Sequence, residues 1–375
     1  MQRRSFVKYS FGALAGVACG SARTNLGWAS ASPKRILVLG GTRFVGPAIV
    51  EAAIAQGHTV TLFNRGVTNP NLFPYVEQLR GYRGADPKDE NLTALTHRHF
   101  DVAVDVWPND PALAVSTANI LKDRVQQYLY ISSIAAYDSK GFEKAGIDET
   151  APLESWDGPA RIYSRGKAES ERRLHAIFGD RITIVRPGPI KGSRDTTPDL
   201  FTWLMRAQSG GTHIGPGTGA DPVEFVDVKD VARFLMLAID RDLFGTFNLA
   251  GTPSTFRQFL DACNEALGTD AKFEWIPQAF LKQHGLDTDA ALKTFAGFFP
   301  HWRPPGTEPG LYQVSSAKAY RTGWQTRPFR ETALDTLSFF RSQRETLEWE
   351  DYLPPEKEQS VLQAWRARSS GPRRQ

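Results

Sequence analysis

From residue 35 onward, short apolar runs alternate with longer amphipathic stretches. The segments 36–39, 57–66, 100–106 and 127–133 each hold a run of four or five residues dominated by Val, Ile, Leu, Phe and Tyr. Runs of that length suit strands buried on both faces of a parallel sheet. Between and after them, residues 47–53, 91–97, 112–121, 163–171, 199–207, 229–240 and 256–267 read as helices. Residues 79–82 and 245–251 add a short strand and a strand that returns to the main sheet. The alternation predicts an α/β fold: a doubly wound parallel sheet of the Rossmann kind, with a smaller C-terminal α/β substrate-binding region.

The first strand runs into Gly40-Gly41-Thr42-Arg43-Phe44-Val45-Gly46, and Pro47-Ala48-Ile49-Val50 then opens a helix. A strand, a glycine turn and a helix N-terminus together make a cradle for a dinucleotide pyrophosphate. Gly40, Thr42, Arg43, Phe44, Val45 and Gly46 are therefore candidate cofactor residues. Gly40 and Gly46 hold the outer positions of a Gly-x-x-Gly-x-x-Gly spacing, and Arg43 stands at the middle one. An enzyme that takes NAD usually places an acid about 20 residues beyond this turn, on the ribose 2′-hydroxyl. Here Asn64 and Arg65 end the second strand. With no carboxylate there, Arg65 and Arg43 are free to meet a 2′-phosphate, so NADP is the expected cofactor and NAD the alternative. Asp86 is a candidate for the adenine side.

Tyr163 and Lys167 stand at i and i+4 of a helix, on one face. A phenol with a pKa of about 10 is a poor base at neutral pH. A neighbouring ammonium and a cationic nicotinamide ring would both favour its ionised form. Ser133, at the end of the fifth strand, is placed to hold a substrate hydroxyl against Tyr163. With the glycine turn upstream, the trio Ser133, Tyr163 and Lys167 describes an alcohol–ketone site, with Lys167 also in reach of the nicotinamide ribose.

These motifs resemble those of the extended short-chain dehydrogenases/reductases, in the NAD-dependent epimerase/dehydratase family. The resemblance runs from about residue 35 to 340. It rests on Gly40–Gly46, Ser132-Ser133 with Tyr137, Tyr163-x-x-x-Lys167, Arg186-Pro187-Gly188, Phe225-Val226-Asp227-Val228-Lys229-Asp230-Val231, and Gly323-Trp324 with Arg327-Pro328. It implies Ser133 rather than Ser132 as the catalytic hydroxyl, and Pro187 beside the nicotinamide carboxamide. Three departures limit it. Pro189 stands where many sugar-nucleotide enzymes have asparagine. Ile134 and Ala135 replace the carboxylates of the dehydratases. Arg43 replaces a glycine.

The N-terminus changes where this chemistry is expected to happen. Gln2-Arg3-Arg4-Ser5-Phe6-Val7-Lys8 precedes an apolar run over residues 9–22 and an Ala29-Ser30-Ala31 cleavage pattern. Together they resemble a twin-arginine export signal. The run is too short to span a bilayer comfortably. Gly16 stands in the lipobox position and argues against lipidation of Cys19. The expected domains are 1–31, signal; 33–186, cofactor binding; 187–345, substrate binding; and 346–375, a partly disordered extension. The sequence pI of about 9.0 and net charge of +4 come from the signal. Its four cations and no acid leave the remaining residues balanced, which argues against a nucleic-acid partner. The basic end from Arg366 reads as a solvated tail. Cys263, the other of two cysteines, reads as a buried apolar side chain.

Enzymes exported folded meet little free nicotinamide cofactor. The expected function is thus a periplasmic oxidoreductase or epimerase that keeps NADP tightly bound and acts on a secondary alcohol of a carbohydrate-like molecule. The twin-arginine translocase is the expected partner during export, and a homodimer is compatible with the reading. A simple carbonyl reductase is the alternative. A second is an RNA-binding, non-catalytic relative, since Gly-Gly-Thr-Arg-Phe also resembles the start of the chloroplast stem-loop RNA-binding group. His213 and Trp302 are expected to be packed rather than to touch substrate. The seven histidines show no metal-ligand spacing.

Overall fold

The structure is a computed structural model. It describes residues 32–84, 90–106, 110–157, 162–286, 298–304, 306, 308–343 and 353–369. Contacts divide the chain at Ser32/Pro33, and every described strand and helix belongs to the unit from Pro33.

The centre of that unit is a seven-stranded parallel sheet. The strands are β1 (Arg35–Leu39), β2 (Thr59–Asn64), β3 (Glu77–Arg80), β4 (Val102–Asp105), β5 (Gln127–Ile131), β6 (Ile182–Pro187) and β7 (Gly245–Leu249). They lie in the order β7-β6-β5-β4-β1-β2-β3, the doubly wound order whose direction reverses beside β1. Successive side chains feed opposite layers, as the pleat requires. Ile36, Val38, Leu62, Val102, Val104, Leu129 and Ile131 enter one core. Leu37, Leu39, Phe63, Ala103, Tyr128 and Tyr130 enter the other. Burial on both faces is why the strands read as nearly unbroken apolar runs.

Helices α1 (Val45–Ala55), α2 (Pro111–Leu121), α3 (Ile162–Phe178), α4 (Asp199–Ser209), α5 (Val228–Asp240) and α6 (Phe256–Leu267) follow in chain order. α1 packs on α5, and α2 on α3. Beyond the sheet, α4, α6 and the helix Phe329–Ser342 close a separate core around Trp203. The Trp203 indole N–H donates to the Pro300 carbonyl at 2.8 Å. Strand Thr212–Pro216 pairs in parallel with Lys272–Ile276 at its side. Because β7 returns to the main sheet, the chain after β6 is laced back into the first half.

Some local expectations shift. α1 starts at Val45 rather than at 47, and Pro47 falls in its first turn, where no backbone donor is needed. Residues 91–97 give only a 3₁₀ turn, Thr93–Leu95. The short strand is Glu77–Arg80, two residues earlier than its pattern suggests. The basic end, expected to be a disordered and solvated tail from Arg366, is helical as far as Ser369 in Pro355–Ser369, with Arg366, Ala367 and Arg368 exposed. Glu358 anchors that helix: its carboxylate accepts the Ile214 amide at 2.9 Å and pairs with His213 at 3.0 Å. Cys263 is a free, fully buried thiol.

Candidate active site

The carboxyl ends of β1, β2, β4, β5 and β6 gather the candidate residues along one edge of the sheet. Gly40 and Gly41 have φ of +118° and +90°, which residues with a Cβ rarely adopt. Gly46, on α1, is glycine for another reason: a Cβ there would lie 2.4 Å from the Gly41 Cα. The glycine that makes this close approach is thus Gly41, which the three-residue spacing does not single out, and not residue 43. Arg43 is exposed at the tip of the turn, with Phe44 and Val45 half-buried behind it. Phe44 caps α1 without a side-chain hydrogen bond, so the first-turn amides stay available to a ligand. The Thr42 carbonyl accepts the Asn69 carboxamide at 2.7 Å, tying the loop after β2 to the turn. These features fit a dinucleotide pyrophosphate. Gly46→Ala is expected to weaken dinucleotide binding about ten- to a hundredfold through overpacking, measured by fluorescence titration with NADPH.

At the end of β2, Asn64 serves the turn itself. Its carbonyl oxygen accepts the Gly66 amide at 2.8 Å and a hydrogen bond from the Arg80 guanidinium. Arg65 is exposed beside it. Arg80, on β3, is not among the sequence candidates, yet its guanidinium lies about 3 Å from where a Gly66 Cβ would stand. Only the register that sets Asn64 opposite Arg80 reveals it. Asp86 lies outside the described residues.

Ser133 caps the 3₁₀ turn Ile134–Ala136, its hydroxyl accepting the Ala135 amide at 3.1 Å. Ser133 is the side chain that favours the ionised form of the Tyr163 phenol. The tyrosine is 45% exposed. Burial raises this phenol above its ordinary pKa, with Ser133 opposing. The lowering expected from Lys167 is therefore not supplied by the protein's own groups. Lys167 is 3% exposed. Its ammonium donates to the Ile131 carbonyl at 2.6 Å and lies 4.8 Å from the Tyr130 ring centroid and 5.9 Å from that of Tyr163. Burial lowers its pKa to about 8, against the charges of Asp105 and Glu171. The structure thus brings Ser133, Tyr163 and Lys167 together.

Behind the trio runs a buried network that the sequence motifs do not disclose. Ser132 points inward and hydrogen-bonds to Glu171. Glu171 receives the Arg186 guanidinium in a fork, with Nη2–Oε2 at 2.6 Å and Nε–Oε1 at 3.1 Å. Arg186 lies 4.6 Å from the Tyr137 ring centroid, and the Tyr137 hydroxyl donates to Asn248 at 2.7 Å. Burial pushes the Tyr137 phenol up to about 12, so it stays a donor. The network fastens β5, α3, β6 and β7 together. Pro187, at the buried end of β6, lies opposite Leu249 of β7.

His213 is spent on Glu358 and Ser209, and the Trp302 indole donates to Asp221 at 2.9 Å. Both are packing residues. Among the described residues, no group of three or more His, Cys, Asp or Glu side chains could hold a metal ion. No described helix is long and apolar enough to cross a membrane.

The profile of the NAD dependent epimerase/dehydratase family matches residues 93–250. Among curated proteins, the chain is 27% identical to the chloroplast stem-loop binding protein of 41 kDa b of Arabidopsis thaliana, over 64% of this chain and 65% of that one. It is 25% identical to the N-acetyl-alpha-D-glucosaminyl-diphospho-ditrans,octacis-undecaprenol 4-epimerase of Escherichia coli O157:H7, over 53% and 61%. The chain thus spans less than two thirds of the length of either relative. Among solved structures, the Bordetella bronchiseptica enzyme WbmG in complex with NAD superposes with a TM-score of 0.58 at 16% identity, covering 83% of this chain and 95% of that one. That likeness is one of fold.

Proposed function

We propose that this protein, an NAD(P)-dependent oxidoreductase of the epimerase/dehydratase family, works outside the cytoplasm on a secondary alcohol of a sugar-like substrate, passing through the ketone. The observation that carries the reading is the meeting of Ser133, Tyr163 and Lys167 at the strand ends, on the sheet edge that also carries the glycine turn. The nicotinamide, when bound, supplies the hydride acceptor and donor. Ser133 holds the substrate oxygen. Tyr163 takes the hydroxyl proton and returns it. Lys167, its ammonium 5.9 Å from the Tyr163 ring centroid, is the group that would hold the nicotinamide ribose. Burial alone holds the Tyr163 phenol up, so the added positive charge of the ring is what makes the base usable.

Export is read from residues 1–31 and favours a cofactor that is kept and reset within each cycle, hence an epimerase. A reductase would need a second substrate to reset it. Arg43 and Arg65, with Arg80 near, and no acid at Asn64, favour NADP. The sugar-like substrate is supported by the similarity to the undecaprenol-linked sugar epimerase. The similarity to the stem-loop binding protein favours the RNA reading, while the balanced charge after residue 31 disfavours it.

The deciding experiment is mass spectrometry of nucleotide released on denaturing the purified protein, with NADP(H) titration alongside. NADP(H) at stoichiometric yield is the expected result. Its absence, with no binding on titration, overturns the reading, and a salt-dependent RNA shift would then favour the alternative. Arg43→Gly is expected to weaken NADP relative to NAD. An unchanged ratio would leave Arg43 a plain surface residue of the turn.

A further inference from the structure

Asp105 ends β4, one of the strands flanking the point where the sheet order reverses. It is fully buried, and neither the motifs nor the proposed chemistry gives it a task. Its carboxylate receives Arg83 in a fork, with Nη1–Oδ2 at 3.0 Å and Nη2–Oδ1 at 2.8 Å, and the Tyr128 hydroxyl at 2.8 Å. A buried ion pair of this kind is often replaceable by apolar side chains at no loss of stability, so its presence calls for a reason other than packing.

The register supplies one. Asp105 stands opposite Leu39, the residue just before the glycine turn, and opposite Tyr130 of β5. The next residue, Val106, lies so near the turn that a Cβ on Gly40 would approach it to 2.6 Å. On the other side, the Tyr130 ring carries the Lys167 ammonium at 4.8 Å. Asp105 therefore sits between the glycine turn and Lys167, one strand from each. Three charged groups and burial act on that ammonium. Asp105 from β4 and Glu171 from α3 favour its charge, Arg83 opposes it, and burial opposes it most. The Tyr130 and Tyr163 rings bear on it as faces. Glu171 is forked to Arg186 as Asp105 is to Arg83, so each carboxylate is partly neutralised where it stands.

We infer that Asp105, fixed by Arg83 and Tyr128, is a positioning residue that keeps the Lys167 ammonium charged within the buried site. This rests on the alcohol–ketone reading for its catalytic consequence, but not for its test. Acting through Lys167, Asp105 touches neither substrate nor the reacting atoms.

The test follows the Lys167 Nζ signal against pH in the purified full chain labelled with [¹⁵N]lysine, assigned by its loss in Lys167→Arg. Asp105→Asn is expected to move the midpoint down by about one unit. This variant leaves Arg83 buried without its carboxylate and can fail to fold. Arg83→Met/Asp105→Asn removes both charges, and its midpoint is expected to fall by less, because the opposing guanidinium is gone as well. A midpoint unmoved in whichever variant folds overturns the inference. If the cofactor reading alone is wrong, the midpoint still moves while no nicotinamide nucleotide binds. If both hold, the limb of the kcat/KM profile that reports Lys167 moves with the NMR midpoint, whereas a merely structural role lowers activity without moving it.

Discussion

Tyr163→Phe is expected to lower turnover about 10²–10⁴-fold, the range for loss of a positioned acid–base group. Only the hydroxyl is lost. The ring stays beside Lys167, whose own anchor is the Ile131 carbonyl, so dinucleotide affinity should change little. The signature is a fall in kcat with the NADPH titration unaltered. Ser133→Ala is the companion: it removes the oxygen that caps Ile134–Ala136 as well as the hydroxyl that opposes the rise of the Tyr163 phenol, so it should also cost stability, about 1 kcal/mol for a lost cap. Unchanged turnover in Tyr163→Phe would remove the tyrosine from the chemistry and favour a non-catalytic relative.

The second large effect is on the fold. Glu171→Gln is expected to destabilise the protein by about 3–5 kcal/mol, as when one partner of a buried pair is removed. Glu171 and Arg186 have side chains only 3% and 5% exposed. Without the carboxylate, the Arg186 charge has no ionic partner at that site, and Ser132 and Arg186 are left to share the one amide oxygen that remains. Urea unfolding measures the loss as a lower midpoint at unchanged slope. Glu171→Gln/Arg186→Met should recover part of it, because no charge is then left buried alone. Equal losses in the single and double variants would mean that the pair contributes by packing and not by charge.

The two predictions differ in how legible their residues are. Tyr163 and Lys167 share a helix, so a spacing of four puts them on one face whatever surrounds them. Gly40 and Gly46 are similarly local: one turn joins one strand to one helix. Glu171 also lies one turn from Lys167, yet its partners Ser132 and Arg186 come from two strands. Nothing in the spacing of residues 132, 171 and 186 announces that they meet. Gly41 escapes the spacing because its task is to receive Gly46 closely, a contact between residues and not a pattern of them. Arg80 and Asp105 are invisible for the same reason, since a strand register decides which residue stands opposite Asn64 or Tyr130.

By itself, the sequence determined the layered α/β architecture, the glycine turn and the Tyr163–Lys167 face. Each follows from a period of two, a period of 3.6 or a glycine's backbone freedom, properties that act over a few residues. The tertiary structure alone decided the strand order, the fork of Arg186 on Glu171 and the place of Asp105 beside the lysine's ring platform. It also decided that burial holds the Tyr163 phenol high. Electrostatic character depends on what surrounds a group from every direction, and in this chain those neighbours come from strands far apart in sequence.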